Sequence, residues 1–262
     1  MQDPEELLRA GDLAGARAAV VARVKAYPGD RNARAFMFQL FATLGLWDKA
    51  ETALTSFVSV APDAAAFAAV YSALIRAEGT RSSFYAGSLA PRALVPGDTW
   101  FDDMLAALKL EIDGKADEAS TLREAALETA PDVVGNVDGS AFDWLVDADA
   151  RFGPVLEATL NGVHGFVPMD KLRKLEIQPP KDLRDLVWAP ARMTLKDGAS
   201  LPIYIPVRYN GITEASDTKV LLSRETRWSE AADGTARGEG QRLFASDNAE
   251  YGILDMRLVE FE

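Results

Sequence analysis

The sequence predicts an α+β chain in two parts. A tetratricopeptide-like α-solenoid is expected over residues 1–133, followed by a β-rich, barrel-like domain with one short helix over residues 138–262. Three observations predict this. Alanine, a strong helix former, occurs 30 times in residues 1–135 and 13 times afterwards. Gly11, Gly45 and Gly79 recur every 34 residues, as do Pro28, Pro62 and Pro96. The second half replaces this with turn-forming triplets between short alternating runs, the pattern of small sheets and barrels.

Within the first half, Phe36, Leu40 and Leu44 recur at intervals of four, as do Leu54 and Val58, which is helical spacing. Ala16 and Ala50 share the 34-residue period, with Phe84 at the third position. Gly114, Ala119 and Pro131 repeat the internal offsets after one extra residue. A period of 34 with helix–turn–helix punctuation is that of tetratricopeptide repeats. The Gly ends the first helix and permits the turn, the small residue admits close packing, and the Pro stops the second helix. Four units are read, the third irregular because Gly87 and Pro91 interrupt its second helix.

Residues 132–140 (DVVGNVDGS) read as the linker. A helix is expected around 154–161, beginning near Pro154. Lys196-Asp197-Gly198 should join WAPARMTL to SLPIYIPVRY, and Ala232-Asp233-Gly234 should join ETRWSE to GQRLFAS, both as hairpin turns. Met256, Leu258 and Glu260 alternate with Arg257, Val259 and Phe261, a strand pattern.

The composition narrows the function. Hydrophobic content of 48% and charged content of 26% are those of a soluble globular protein. No run of 18 apolar residues and no apolar N-terminal signal region is present, so a cytoplasmic protein without membrane contact is expected. The net charge of −12 is shared by both halves, and no basic block exists to bind nucleic acid. Absence of cysteine removes thiol catalysis and thiolate metal sites.

The residues that could carry chemistry are few. Asp143, Asp147 and Asp149 could form a carboxylate metal site, the basis of an alternative reading as a metal-dependent enzyme. An Asp-x-Asp pair without a calcium-loop pattern favours ion pairs with Arg151, or capping of the helix at Pro154, with Trp144 and Phe152 packed inward. His164 is the only histidine and sits in NGVHGFVP, where a surface or hairpin role outweighs base catalysis. Gly238-Glu239-Gly240 lacks the rest of a phosphate loop and reads as a tight bend. Trp47, Trp100, Trp144, Trp188 and Trp228 are expected in the core or between domains. No catalytic residue, metal or cofactor is therefore assigned.

A protein-binding groove remains. Aligning the repeats on their glycines places Asn32, Ala35, Gln39 and Ala42 on the inner wall, then Ala66, Ala69, Ala73 and Arg76, then Phe101, Met104 and Leu108. Such a wall suits an amphipathic helix. The competing expectation is that this inner face packs on the β-rich part. If the groove is open there, Phe101→Asp or Leu108→Asp should weaken partner binding without unfolding the chain.

The phrases DGSAFDWLVDADARFGPVLEATLNG (138–162), DLRDLVWAP (182–190), IPVRYNG (205–211) and GEGQRLFASD (238–247), in this order, resemble the ImpE family, also called TagJ. The resemblance covers nearly the whole chain. It departs from the family's pattern at Ala150, where serine is usual, and in the less aromatic VHGFVPMDKL. It implies a non-enzymatic adaptor of bacterial type VI secretion systems that binds the N-terminal helix of the small sheath subunit. It also implies an indirect link to the ClpV-type disassembly ATPase. A general assembly scaffold unrelated to secretion is the further alternative.

Overall fold

The computed structural model describes residues 2–231 and 234–262. Its first half is helical: α1 (Pro4–Arg9), α2 (Leu13–Ala26), α3 (Arg31–Thr43), α4 (Trp47–Val60), α5 (Ala65–Tyr85), α6 (Thr99–Ile112) and α7 (Ala116–Thr129). The pairs α1/α2, α3/α4 and α6/α7 turn at Gly11, Gly45 and Gly114, with φ of 84°, 68° and 79°, a conformation glycine adopts without a Cβ penalty. Ala16, Ala50 and Ala119 have no solvent exposure, as close helix packing requires. Asp12 and Asp30 cap α2 and α3 by accepting from the Gly15 and Ala33 amides at 2.8 and 3.0 Å.

The third unit differs from expectation. Gly79 lies inside α5, which continues unbroken to Tyr85, and no second helix follows. The chain instead runs as a strap across the edge of the sheet. The Phe166 amide donates to Arg92 O and the Leu94 amide to Phe166 O, both at 2.8 Å. Gly165 makes this approach possible, since a Cβ there would stand 2.4 Å from Arg92 O.

The second half is sheet-rich: β1 (Gly135–Val137), β2 (Ser140–Phe142), β3 (Leu145–Asp147), β4 (Val155–Leu160), β5 (Val163–Pro168), β6 (Leu172–Ile177), β7 (Trp188–Leu195), β8 (Ser200–Pro206), a one-turn α8 (Thr218–Leu221), β9 (Thr226–Glu230), β10 (Ala236–Gly240), β11 (Leu243–Ser246), β12 (Glu250–Gly252) and β13 (Leu258–Phe261). Eight strands form a sheet of order β2-β1-β13-β6-β7-β8-β4-β5. It is open, with β2 and β5 at its ends, so the barrel expectation is corrected. The smaller sheets are β12-β11-β3 and β10-β9.

Several local expectations change with it. Residues 154–161 form β4, not a helix, because Asn161-Gly162 (φ 51° and 76°) turns the chain into the β4–β5 hairpin, the strongest short hairpin signal. The presumed linker contains β1, paired on both sides. The Lys196-Asp197-Gly198 turn does join β7 to β8. The second expected turn falls on Ala232 and Asp233, outside the described residues. There β9 pairs with β10, whereas Leu243–Ser246 pairs with β3 and β12. The Gly238-Glu239-Gly240 stretch lies in β10, where a Cβ on Gly238 would stand 2.2 Å from the Tyr209 ring.

Side-chain alternation along β4 sends Leu156 and Ala158 into the core beneath the sheet, while Val155 faces the helices with Phe101, Met104 and Phe166. The β4–β5 end of the large sheet is thus buried on both faces, whereas β6, β7 and β8 keep one face partly open. Among the described residues, no helix is long and apolar enough to cross a membrane.

Candidate protein-binding groove

Two polar regions result, one closed and one open. The closed one lies between α5 and the sheet. Arg81 Nε donates to Glu157 Oε1 at 2.8 Å and Arg81 Nη2 to Arg208 O at 2.8 Å. Arg242 pairs with both Asp147 and Glu157. Burial acts to raise the Glu157 carboxyl, but Arg81, Arg242 and the His164 hydrogen bond hold it well below the usual range. Burial pushes Asp147 up to about 6, against the pull of Arg242.

This cluster absorbs the residues with catalytic potential. Asp147 Oδ1 accepts from Tyr209 Oη at 2.8 Å and the Asp149 amide at 2.9 Å. Asp149 accepts from Arg151 Nε at 2.8 Å, from Arg151 Nη2 at 2.5 Å and from the Gly238 amide at 2.8 Å. Every oxygen of both carboxylates is thus engaged by a protein donor. Asp143 is exposed and apart from them. Among the described residues, no group of three or more His, Cys, Asp or Glu could hold a metal ion. His164 is buried in β5, not at the surface, with Nε2 2.8 Å from Glu157 Oε1. Phe152 packs inward as expected, but Trp144 is 41% exposed and Trp228 42%. Trp100 and Trp188 are buried, and Trp47 lies 5.7 Å from Trp188, centroid to centroid.

The open region is a groove of about 660 Å³ on the inner face of the helices. Asn32, Ala35, Phe36 and Gln39 of α3 form its floor, Glu5, Leu8 and Arg9 of α1 one side, and Phe57, Ala64 and Phe67 another. Lys181, Asp182, Leu183 and Arg184 close the remaining side. Both expectations for the inner face therefore have a place, because part of it is open and part is covered by the sheet-rich half.

The covering segment is locked. Asp182 and Asp185 form a reciprocal capping box around a short 3-10 turn at Leu183–Leu186. The Arg184 amide donates to Gln39 Oε1 at 3.2 Å, and Arg184 Nε donates to Tyr71 Oη at 2.7 Å. Its guanidinium lies 4.9 Å from the Phe67 ring centroid and 5.2 Å from that of Tyr71. Burial pushes the Tyr71 hydroxyl up to about 12, with Arg184 acting in the opposite direction.

Of the wall residues read from the repeats, Asn32 and Gln39 line this groove. Arg76 is exposed on α5 and lies outside it. Phe101, Met104 and Leu108 are a correction: they are 0–2% exposed and pack with Phe152, Val155 and Phe166. At the fourth unit the inner face is the interface with the sheet. Of the groove residues that repeat alignment does not place there, Phe36 lies on α3 itself, while Leu8, Phe57, Phe67 and Arg184 come from neighbouring helices and from the second half. Only the phrase DLRDLVWAP gave any sign of the last of them.

Comparison with known proteins agrees with the resemblance. The ImpE protein family model matches residues 139–260. A Pseudomonas aeruginosa protein named type VI secretion system accessory component TagJ is 39% identical over 258 residues, covering 98% of this chain and 90% of that protein. The chain belongs to the ImpE family. The crystal structure of protein VPA1032 from Vibrio parahaemolyticus superposes with a TM-score of 0.86 at 20% identity, covering 99% of this chain and 97% of that one. This last likeness shows that the ImpE chain shares a fold with VPA1032 along almost its full length.

Proposed function

We propose that the chain is a non-enzymatic, cytoplasmic adaptor of a type VI secretion system. In this reading its groove binds the N-terminal helix of the small sheath subunit and so assists handling of the sheath by the ClpV-type ATPase. Membership of the ImpE family and the name of its Pseudomonas relative support the system. The single observation that supports the mode of binding is the open groove of about 660 Å³ walled by Phe36, Phe57, Phe67 and Leu8.

Aromatic and aliphatic walls with small residues at Ala35 and Ala64 suit the apolar face of a helix, with anchors at helical spacing. The charged rim of Glu5, Arg9, Lys181 and Asp182 would orient it. We read the helical half as tetratricopeptide-like and as its own domain, which lends the groove. The second half contributes the Lys181–Arg184 wall. Titration of the full chain with a fluorescent peptide of the sheath subunit's N-terminal helix tests the proposal. Saturable binding that Ala35→Glu weakens at least about tenfold is the expected result.

A further inference from the structure

We propose that a second, smaller cavity between α5 and the Tyr209–Ile212 loop is a binding site for a halide-sized monovalent anion. The cavity holds about 40 Å³ and is lined by Glu78, Arg81, Ser82 and Arg208, with Asn210 and Gly211 on its far side. Its volume exceeds one water's share of liquid, about 30 Å³, and is too small for a phosphate ester or nucleotide. Ser82 and Gly211 are exposed, so the cavity opens to solvent there.

Arg208 carries the inference. It is 5% exposed, and its Nη1 donates to Thr43 O at 2.7 Å and Leu221 O at 2.8 Å. It thereby caps the C-terminal ends of α3 and α8. A guanidinium has five N–H donors. These two bonds use both hydrogens of Nη1, and among the described residues Nε and Nη2 meet no protein acceptor. Neither atom is sealed from solvent, so both face the adjoining open cavity, where an acceptor can reach them.

Charge decides the kind of acceptor. The nearest carboxylate, Glu78, is already engaged, with Oε1 accepting from Trp188 Nε1 at 2.9 Å and Oε2 from Arg81 Nη1 at 3.3 Å. Arg81 is matched by Glu78 and Glu157, and Arg242 by Asp147 and Glu157. Among the described residues Arg208 is left without an ion-pair partner. Burial holds it down at about 10, with Glu78 pulling the other way. On the loop side, the amides of Asn210, Gly211 and Ile212 donate to no described protein group. A guanidinium that faces this cavity, with the loop residues on its rim, suits a small anion better than a neutral water.

Crystals of the full chain soaked in sodium bromide test this by anomalous diffraction. The expected result is a bromide peak within hydrogen-bond distance of Arg208 Nε or Nη2. In solution, bromide or chloride should raise the thermal midpoint by about 2–4 °C relative to gluconate at equal ionic strength, since gluconate is too large to enter. A cavity that gives no anomalous peak and holds only water overturns the proposal.

Discussion

Arg81 Nε of α5 and Glu157 Oε1 of β4 lie 2.8 Å apart with both side chains buried, so the helical and sheet-rich halves share an ion pair inside the molecule. Glu157 also serves Arg242 and His164. Removing Arg81 leaves Glu157 with Arg242 and His164 but takes the ion-pair partner from buried Glu78, and losing one partner of a buried pair costs about 3–5 kcal/mol. Arg81→Leu should therefore lower the stability of both halves together. Denaturant unfolding followed by tryptophan fluorescence and by far-UV circular dichroism checks this. Coincident transitions shifted by that amount are expected, whereas loss of the helical signal alone would count against it.

Asp147 gives a pH dependence whose sign follows from its environment. Burial raises its folded-state pKa to about 6, above the ordinary value of about 3.9 for an unfolded aspartate. The folded chain therefore takes up the proton first as pH falls. The stability linked to this group is fully present below about pH 4 and is lost as pH rises through about 6. Between pH 7 and 5 the wild type should gain about 1 kcal/mol relative to Asp147→Asn. Paired urea titrations at the two pH values measure it. Equal responses of the two proteins would mean that Asp147 does not titrate in this window.

Gly165 is expected to be intolerant of any side chain. A Cβ there would meet Arg92 O at 2.4 Å and Leu94 Cγ at 2.9 Å. Gly165→Ala should push the strap away from β5 and destabilise the chain by about 1–3 kcal/mol. Limited proteolysis should then cut between residues 86 and 98 faster than in wild type. Unchanged cutting and stability would show that the strap is not held at this point.

Phe101→Asp and Leu108→Asp, which repeat alignment alone would use to probe a groove, should instead unfold the chain. Both residues are at most 2% exposed, and a charge buried without a partner destabilises by several kcal/mol. Circular dichroism of the purified variants decides between the two. A native spectrum and wild-type thermal midpoint would return these residues to the groove.

Much of the architecture was legible because it is written in local signals. Gly11, Gly45 and Gly114 mark helix turns, buried Ala16, Ala50 and Ala119 mark the packing, and Lys196-Asp197-Gly198 marks a hairpin. The errors arose where a non-local contact decides. Gly79 matches the repeat, yet α5 continues past it, and Phe84 beyond it packs on Phe166 of the sheet. The aspartates of 143–149 look like a metal site in one dimension, but their partners Arg242 and Tyr209 lie 95 and 62 residues away. The run PVLEATL suggests a helix by its proline start, yet the Asn161-Gly162 turn directly after it makes it a hairpin strand. In the groove, Asn32 and Gln39 follow from repeat spacing, whereas Arg184 reaches Gln39 from 145 residues further along.

The most direct test of the groove is the affinity of the full wild-type chain and its Ala35→Glu variant for the sheath subunit's N-terminal helix, measured by fluorescence anisotropy. Ala35 lines the groove floor, so the substitution fills the site with a charge while leaving the core in place. Saturable wild-type binding, weakened at least about tenfold in the variant, a loss of about 1.4 kcal/mol or more, is the predicted result. No wild-type binding at about 50 µM peptide, an affinity weaker than about −6 kcal/mol, or equal binding by the two proteins, would contradict it.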